Sequence, residues 1–296
     1  MIPYVREIDF EYGVCAQVSP LIRRVIARNP GPFTFTGTGT YIVGKGEVAV
    51  IDPGPDLPEH LEAILAATAG ERVTQIVVTH HHSDHWPLAT ALKAKTGAPI
   101  YGCAFGGAEA DEGGASIDDH GAGFVPDVSI LDGALIAGQG WTLEAIATPG
   151  HTSDHLCYAL REENACFTGD HIMGWSTTVI TPPDGDMGDY MESLARIRAR
   201  DFSVLWPTHG APVRDVAPFI GAYIDHRRQR EGQIEAALAD GPAAIADLVP
   251  KLYADVDKRL YPAAARSMHA NMIDLVRRGR VTTEGAPEAD SIYRLA

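Results

Sequence analysis

Four histidines and an aspartate lie close together in the stretch THHHSDHW. In extended backbone, alternate side chains point to the same side, so His80 and His82 face the same way. Two neutral imidazoles placed like this are good partners for a divalent cation. Asp84 and His85 follow as the chain turns, and they could serve a second cation. His81 would point away from both, and we assign it no role.

One loop supplies too few ligands for a metal site, so other strand ends would have to contribute. Three short apolar segments run into a turn and then a metal-type ligand: Leu143–Ala147 leads to His151, Ala165–Thr168 to Asp170, and Ser203–Trp206 to His209. A single histidine after a strand is usually structural. Four such strand ends in one chain, the histidine cluster included, are hard to assign to chance and indicate a metal centre.

The segments around the cluster read as a strand followed by a helix. Val73–Val78 is apolar and β-branched, as expected for a strand buried on both faces. Pro87 suits the first turn of a helix, and the apolar spacing from Leu88 predicts a helix that stops at Gly97. The histidines therefore occupy a strand-to-helix loop, where α/β folds often carry their chemistry.

The motif order resembles the metallo-β-lactamase superfamily of dinuclear hydrolases: HxHxDH, a single histidine, Gly-Asp, then a histidine in a THG context. The resemblance covers roughly residues 30–215. It implies that one metal is held by His80, His82 and His151, the other by Asp84, His85 and His209, and that Asp170 bridges the two. It also implies that Asp52, in the turn Asp52-Pro53-Gly54, orients ligands. An ordinary turn aspartate would explain Asp52 equally well.

The same resemblance implies the fold. We expect an αββα sandwich of two mixed sheets with helices outside over residues 1–222, and a small helical domain over residues 223–296. From Ala222 onward the chain reads as successive amphipathic helices followed by a Gly-Arg turn and the strand-like RVTT, which resembles a winged-helix arrangement. Segments such as HTSDHLCYAL resemble the lactamase-beta-like branch, whose members include single-strand RNA endonucleases and proteins described only as hydrolases.

The implied chemistry is hydrolysis with two divalent cations. Such cations share a bound water and lower its pKa from about 16 toward 7, so that a bridging hydroxide is the expected nucleophile. Asp84 would accept a hydrogen bond from this hydroxide and aim it, which makes it the candidate catalytic residue. Zinc is the default metal for imidazole and carboxylate ligands, and manganese or iron would fit the same set. We expect His155 and His171 to be structural or to support the ligands, and His171, beside Asp170, is the most plausible extra proton donor.

The net charge of the chain and the bulk of Trp86 suggest the class of substrate. The chain has a net charge of −15, and residues 1–222 carry 13 Lys and Arg against 28 Asp and Glu. An acidic chain favours an ester, thioester or related small carbonyl compound as the substrate. The indole of Trp86, which follows the HxHxDH motif, would narrow the pocket and favour the same class.

Two alternatives stay open. The first is cleavage of single-stranded RNA, with phosphates met by six arginines of the tail: Arg227, Arg228, Arg230, Arg277, Arg278 and Arg280. Solvated helix faces or pairing with acidic residues explain these arginines more readily, because residues 223–281 carry only 10 Lys and Arg against 8 Asp and Glu. The second is a metal-holding redox relay or binding module, which the unbroken ligand set makes the least favoured.

Composition sets the outer limits. Hydrophobic residues make up 45% of the 296 residues, enough for a large α/β domain with a small appendage. We expect no membrane span and no signal peptide. Four scattered cysteines suit the reduced thiols of the cytoplasm. The glycine-rich, acidic segment Gly106–Phe124 predicts a mobile loop, either a passive surface loop or a lid over the pocket.

Overall fold

The computed structural model describes residues 2–104 and 124–296. The strands in these ranges are β1 (Ala16–Gln17), β2 (Ile22–Ile26), β3 (Gly39–Lys45), β4 (Glu47–Ile51), β5 (Arg72–Val77), β6 (Ile100–Gly102), β7 (Val128–Ser129), β8 (Leu135–Gly138), β9 (Trp141–Ala147), β10 (Leu156–Leu160), β11 (Ala165–Gly169), β12 (Val204–Pro207), β13 (Ala243–Ala244), β14 (Val281–Thr282) and β15 (Ile292–Leu295). The α-helices are α1 (Pro58–Ala67), α2 (Leu88–Thr96), α3 (Met187–Arg198), α4 (Val216–Ala239), α5 (Ile245–Leu252) and α6 (Tyr261–Arg277).

Two mixed sheets form the body of the fold. The first has the order β1-β2-β3-β4-β5-β6-β7, and its strands are antiparallel up to β4 and parallel from β4 onward. The second has the order β12-β11-β10-β9-β8, in which only the β11–β12 pair is parallel. A third, small sheet with the order β13-β15-β14 lies in the tail.

Alternation along the strands separates three apolar layers. In β3, Tyr41 and Val43 belong to the core between the two sheets, where they meet Phe167 and Trp206 of the second sheet. Ile42, between them in sequence, packs instead against α1 and α2 on the outer face of the first sheet. The outer face of the second sheet packs against α3 and α4. These layers form the αββα sandwich that the sequence predicts.

The tail has its own core, which α5, α6 and the small sheet build around the end of α4. Helix α4 begins at Val216 rather than at the predicted start near residue 222. Its first turns belong to the αββα core, because Phe219, Ile220 and Tyr223 pack on the outer face of the second sheet. Ile234 and Leu238, near its other end, belong to the tail core. One continuous helix therefore runs through the predicted boundary at residues 222 and 223.

The strand and the helix predicted around the histidine cluster are confirmed. Strand β5 and helix α2 flank the histidine cluster, and Gly97 ends α2 with φ of 76°. All four cysteines are free thiols. In the described parts of the chain, no helix combines the length and the apolar character needed to cross a membrane. The predicted loop or lid at Gly106–Phe124 lies outside the described residues, apart from Phe124.

Candidate metal centre

The loops at one rim of the two sheets bring all seven predicted ligand residues together. Three groups of side chains each place their ligand atoms within 4.8 Å of one another: His80 with His82 and His151, His80 with His85 and Asp170, and Asp84 with His85 and His209. The groups share members, so the seven residues form one continuous cluster. Their loops follow β5, β9, β11 and β12, the four strand ends that the sequence indicates.

The first group consists of three imidazoles. His80 Nε2 lies 3.0 Å from His82 Nδ1, and His151 Nε2 lies 3.1 Å from the same Nδ1 atom. Three ring nitrogens converge here. Nδ1 of His82 carries at most one proton, so it can donate a hydrogen bond to only one of the other two nitrogens. A shared cation would engage all three lone pairs.

Asp84, His85 and His209 form what we call the second group, in which imidazoles meet a carboxylate. Asp84 Oδ2 lies 3.0 Å from His209 Nε2 and 3.5 Å from His85 Nε2. Asp170 Oδ1 faces the same two imidazoles, at 3.4 Å from His209 Nε2 and 3.6 Å from His85 Nε2. Its other oxygen, Oδ2, lies 3.7 Å from His151 Nε2 in the first group. Asp170 therefore stands between the two groups.

Unsatisfied atoms test whether a metal suits this cluster. His85 Nε2, His209 Nε2 and Asp170 Oδ1 are buried and make no hydrogen bond in the described structure. Leaving such atoms without a partner costs about 1–3 kcal/mol each, and more when they are charged. All three point at one another across distances that a cation would bridge. The donor set, five imidazoles and two carboxylates, therefore fits divalent metal ions of the zinc type.

Buried side chains hold the ligands from behind. Asp52 Oδ2 accepts hydrogen bonds from His85 Nδ1 and from the hydroxyl of Thr208, each at 2.9 Å. The Thr79 hydroxyl donates to the same oxygen at 2.9 Å, and the Thr79 amide donates to Asp52 Oδ1 at 2.8 Å. Asp52 thus ties the β5 loop to the β12 loop. The ligand-orienting role predicted for Asp52 agrees with these contacts, whereas an ordinary turn aspartate would lack them.

The other side of the cluster rests on the segment 176–179. His151 Nδ1 lies 2.7 Å from the Val179 carbonyl, which therefore accepts a hydrogen bond and leaves Nε2 free for a metal. The Thr178 hydroxyl donates to the Asp170 carbonyl at 2.6 Å. Before His151, Gly150 has φ of 133°, and a Cβ there would lie 2.4 Å from Cα of Tyr190. Only glycine fits this turn.

Burial and neighbouring imidazoles keep His80 and His82 neutral. Burial, together with the imidazoles of His85 and His82, lowers the pKa of His80 well below its usual value. Burial and the neighbouring imidazole of His151 lower the pKa of His82 in the same way. Neutral imidazoles are the form that binds metals, so these two side chains are prepared as ligands at neutral pH.

The second group behaves differently because it contains a carboxylate. Burial alone would raise the pKa of Asp84, but the imidazoles of His85 and His209 lower it well below the usual value. Burial alone would lower the pKa of His85, but the carboxylates of Asp84, Asp52 and Asp170 raise it to about 10. Asp84 is therefore ionised at neutral pH, the form in which a carboxylate binds a metal.

A cavity of about 430 Å³ opens from the cluster. The ligand residues His82, Asp84, His151 and Asp170 form one side of it. The remaining wall is largely apolar and comes from both parts of the chain: Phe33, Met173, Trp175 and Val179 from the sandwich, and Tyr253, Val256, Leu260, Ala263 and Ala264 from the tail. Arg227, Arg230 and His226 of α4 add polar groups to this wall.

The predicted role of Trp86 is wrong. Its indole packs with the core on the outer face of the first sheet and lies 5.4 Å from the ring of Phe124, so it does not line the cavity. The aromatic residues that narrow the cavity are Phe33, Trp175 and Tyr253. Their positions depend on how distant segments meet, and proximity in sequence to the ligand motifs does not reveal them.

The other histidines near the cluster are structural. His171, the predicted proton donor, is fully buried against Tyr190, and it is not part of the cavity wall. Burial lowers its pKa to about 3, so it is neutral at physiological pH and does not suit the predicted role. His155 Nδ1 contacts the Thr148 hydroxyl at 2.8 Å, and its Nε2 accepts from the Asp170 amide at 3.2 Å. His81 points away from the metal cluster, as predicted, with its Nδ1 2.9 Å from Asp154.

Comparison with known proteins agrees with this architecture. Residues 34–209 match the model of the metallo-beta-lactamase superfamily, and residues 244–290 match that of the beta-lactamase associated winged helix domain. The chain is 34% identical to a beta-lactamase-like protein 2 homolog of Caenorhabditis elegans, across 88% of this chain and 84% of that protein. It is 33% identical to an atrochrysone carboxyl ACP thioesterase of Aspergillus fumigatus, across 88% of this chain and 81% of the relative.

Solved structures show the same fold at lower sequence identity. A beta-lactamase domain protein from Burkholderia ambifaria superposes with a TM-score of 0.80 at 18% identity, covering 100% of this chain and 97% of that one. A metallo-beta-lactamase family protein from Thermus thermophilus gives a TM-score of 0.75 at 22% identity, with 95% and 100% covered. The two family matches and the relative at 34% identity show that the chain belongs to the metallo-beta-lactamase superfamily, with a winged-helix domain following its αββα sandwich.

Proposed function

We propose that this superfamily hydrolase cleaves an ester or thioester of a small, largely apolar acyl compound, using two metal ions. The observation that carries the proposal is that four residues of the seven-residue cluster line a largely apolar cavity of about 430 Å³. A cavity of this size suits a compact ligand, because small-molecule sites typically measure about 300–1,000 Å³.

The cluster would hold the metals as follows. His80, His82 and His151 would bind one ion, Asp84, His85 and His209 the other, and Asp170 both. We propose zinc, since imidazole and carboxylate ligands suit it. When bound, the two ions would supply activation of water at neutral pH and polarisation of the substrate carbonyl.

Side chains of the protein would position the attacking water and the substrate. Asp84 lines the cavity, and its Oδ2 atom already faces His85 and His209, which leaves Oδ1 to accept a hydrogen bond from the attacking water. The apolar wall would hold the acyl group and exclude bulk water from the carbonyl. The relative named as a carboxyl ACP thioesterase supports a thioester as the bond that is cleaved.

The RNA alternative receives little support from the tail. Three of its predicted phosphate-binding arginines pair with carboxylates instead: Arg277 with Asp186, Arg278 with Glu231 at 3.0 Å, and Arg280 with Glu235 at 2.6 Å. Two others, Arg227 and Arg230, line the cavity beside the metal cluster. Five of the six arginines are thus paired or line the cavity, and in the described tail these five do not accumulate as a positive surface for a polyanion.

The test combines metal analysis with a substrate panel. Zinc-loaded protein is incubated with acyl thioesters of increasing bulk and, separately, with labelled single-stranded RNA at low salt. We expect about two zinc ions per chain and hydrolysis of thioesters but not of RNA. Asp170→Asn should lose both zinc and activity, whereas Asp132→Asn, which removes a surface carboxylate paired with Arg196, should keep both. RNA cleavage without thioester hydrolysis would overturn the proposal.

A further inference from the structure

Arg227 is a buried cation in the cavity wall. The residue is only 6% exposed. Its Nη2 atom donates to the Thr178 carbonyl at 2.5 Å, its guanidinium lies 5.0 Å from the ring centre of Tyr190, and its Nε makes no hydrogen bond. Among the described residues, no carboxylate lies within ion-pair distance of it. A buried charge without a counter-ion is costly, so this arrangement calls for an anion.

A second arginine faces the same cavity. Arg230 is one helical turn from Arg227 on α4, its Nη1 atom donates to the Leu252 carbonyl at 2.5 Å, and its guanidinium lies 4.0 Å from the ring centre of Tyr253. In the described part of the cavity wall, the carboxylates are those of Asp84 and Asp170, and both belong to the proposed metal site. The α4 side of the cavity is therefore cationic, in a chain whose net charge is −15.

We propose that Arg227, supported by Arg230, binds a carboxylate on the acyl part of the substrate. This inference rests on the proposed function and names its substrate class: an acyl thioester or ester with an apolar middle and a carboxylate at the end remote from the bond that is cleaved. The planar guanidinium matches a carboxylate with paired hydrogen bonds. Met173, Trp175 and Val256 supply the apolar wall for the middle of such a substrate.

A purely supporting role for Arg227 makes a different prediction. Its contact with Thr178 holds the segment 176–179, which in turn contacts His151 and Asp170. Tyr223, one turn earlier on α4, also holds the neighbouring chain, because its hydroxyl contacts the carbonyls of Met173 and Ser176 at 2.6 and 2.5 Å. Tyr223→Phe therefore removes support without removing a charge, and it serves as the matched control.

The experiment compares two series of N-acetylcysteamine thioesters of increasing chain length. One series ends in a carboxylate and the other in the corresponding primary amide, so that each pair differs mainly in charge. We expect the best carboxylate substrate to exceed its amide partner in kcat/KM by about tenfold to a hundredfold, as expected for a charged hydrogen bond. Arg227→Met should abolish this ratio, and Tyr223→Phe should leave the ratio intact while lowering both rates together.

Two results would overturn the inference. Equal kcat/KM values for the carboxylate and amide series in the wild type would do so, and so would an unchanged ratio in Arg227→Met. If Arg227→Met does not fold, Arg227→Lys replaces it. Lysine keeps the charge but cannot make the paired hydrogen bonds of a guanidinium, so the ratio of carboxylate to amide kcat/KM should fall without vanishing. An unchanged ratio in Arg227→Lys would also overturn the inference.

A binding measurement separates this inference from the proposed function. If the wild type hydrolyses no thioester, the proposed function fails, and chelator-treated protein is then titrated with adipate and with adipamide. Metal-free protein is used so that the carboxylates cannot bind a metal instead. Tighter binding of adipate by the wild type but not by Arg227→Met supports the anion site, and equal binding of the two compounds overturns it.

Discussion

The Nδ1 atom of His85 lies 2.9 Å from Oδ2 of Asp52, and both side chains are completely buried. This contact fixes the ring of His85 so that its Nε2 atom points at Asp84 and Asp170. The same Asp52 oxygen accepts from the hydroxyls of Thr79 and Thr208. One carboxylate outside the ligand cluster therefore sets the orientation of loops from both sheets.

Replacing Asp52 with asparagine should weaken metal binding without unfolding the chain. Asparagine tolerates the backbone conformation at this position, where φ is 47°. Its neutral amide, however, is a weaker acceptor for the three donors that meet at Oδ2. We expect zinc affinity to fall about 10- to 100-fold, as for other groups that support metal ligands. Competition with a chelator of known affinity measures the change.

The matched control is Asp56→Asn, which alters an exposed aspartate shortly after the same turn. Zinc affinity should stay at the wild-type value in this variant. Wild-type affinity in Asp52→Asn as well would show that Asp52 does not support the metal centre.

His60 should make the protein less stable in mild acid. It is 2% exposed, its Nε2 lies 2.8 Å from the Thr40 hydroxyl, and burial lowers its pKa from 6.5 to about 4. Between these two values the unfolded chain binds a proton that the folded chain does not. The free energy of unfolding should therefore fall as the pH drops from about 6.5 to about 4, by up to roughly 3 kcal/mol from this residue.

Glutamine at position 60 retains a polar group near Nε2 but does not titrate. Urea unfolding of the wild type and of His60→Gln at several pH values should show a smaller pH dependence in the variant between about pH 4 and 6.5. Thr40→Val, which removes the hydroxyl but keeps the imidazole, should be less stable at every pH and retain that dependence. Identical pH dependence in wild type and His60→Gln would contradict the assignment.

The sequence predicts that the seven candidate ligands meet, because each lies in a loop that follows a strand. Strands are recognisable from short apolar runs, and neighbouring strand ends meet at one rim of a sandwich. His151 and His209 could thus be placed together although 57 positions separate them. The same logic fails for Trp86, which follows the ligand motif in sequence but packs with the outer helices near Phe124.

The cavity wall lies beyond what the sequence pattern can predict. Ala263 and Tyr253 reach the metal side only because the tail docks against the sandwich, and docking depends on surface shape rather than on periodicity. The helical pattern identifies α4 but misses its first turns, since Val216 and Ile220 are buried by contact with the second sheet. The helical pattern places Arg227 on α4 but does not show that it is buried or that it contacts Thr178.

Alanine at position 150 should destabilise the fold and disturb the metal site. Gly150 has φ of 133°, and a Cβ would lie 2.4–2.5 Å from backbone atoms of Tyr190, which cannot move without displacing α3. We expect a loss of at least about 3 kcal/mol in the free energy of unfolding, together with lower zinc content because His151 follows directly. Urea unfolding and metal analysis measure the two effects.

Gly46 provides the contrast. Its φ is 75°, but a Cβ there would meet nothing within 4 Å. Gly46→Ala should therefore cost only about 1–2 kcal/mol of backbone strain and keep its zinc. Equal losses in the two variants would show that the close approach to Tyr190 is not the cause.

Narrowing the tail side of the cavity should change substrate preference by size. Ala263, in the first turn of α6, is half-buried and lines the cavity, so Ala263→Trp would fill space that a bulky acyl group needs. A clash costing about 1–3 kcal/mol corresponds to roughly a 5- to 150-fold loss. We expect kcat/KM for a naphthoyl thioester to fall by this factor, and that for an acetyl thioester to change much less.

Ala254→Trp, at an exposed position outside the cavity wall, is the control and should preserve both values. Equal losses for both thioesters in Ala263→Trp would mean that the tail does not contact the acyl group.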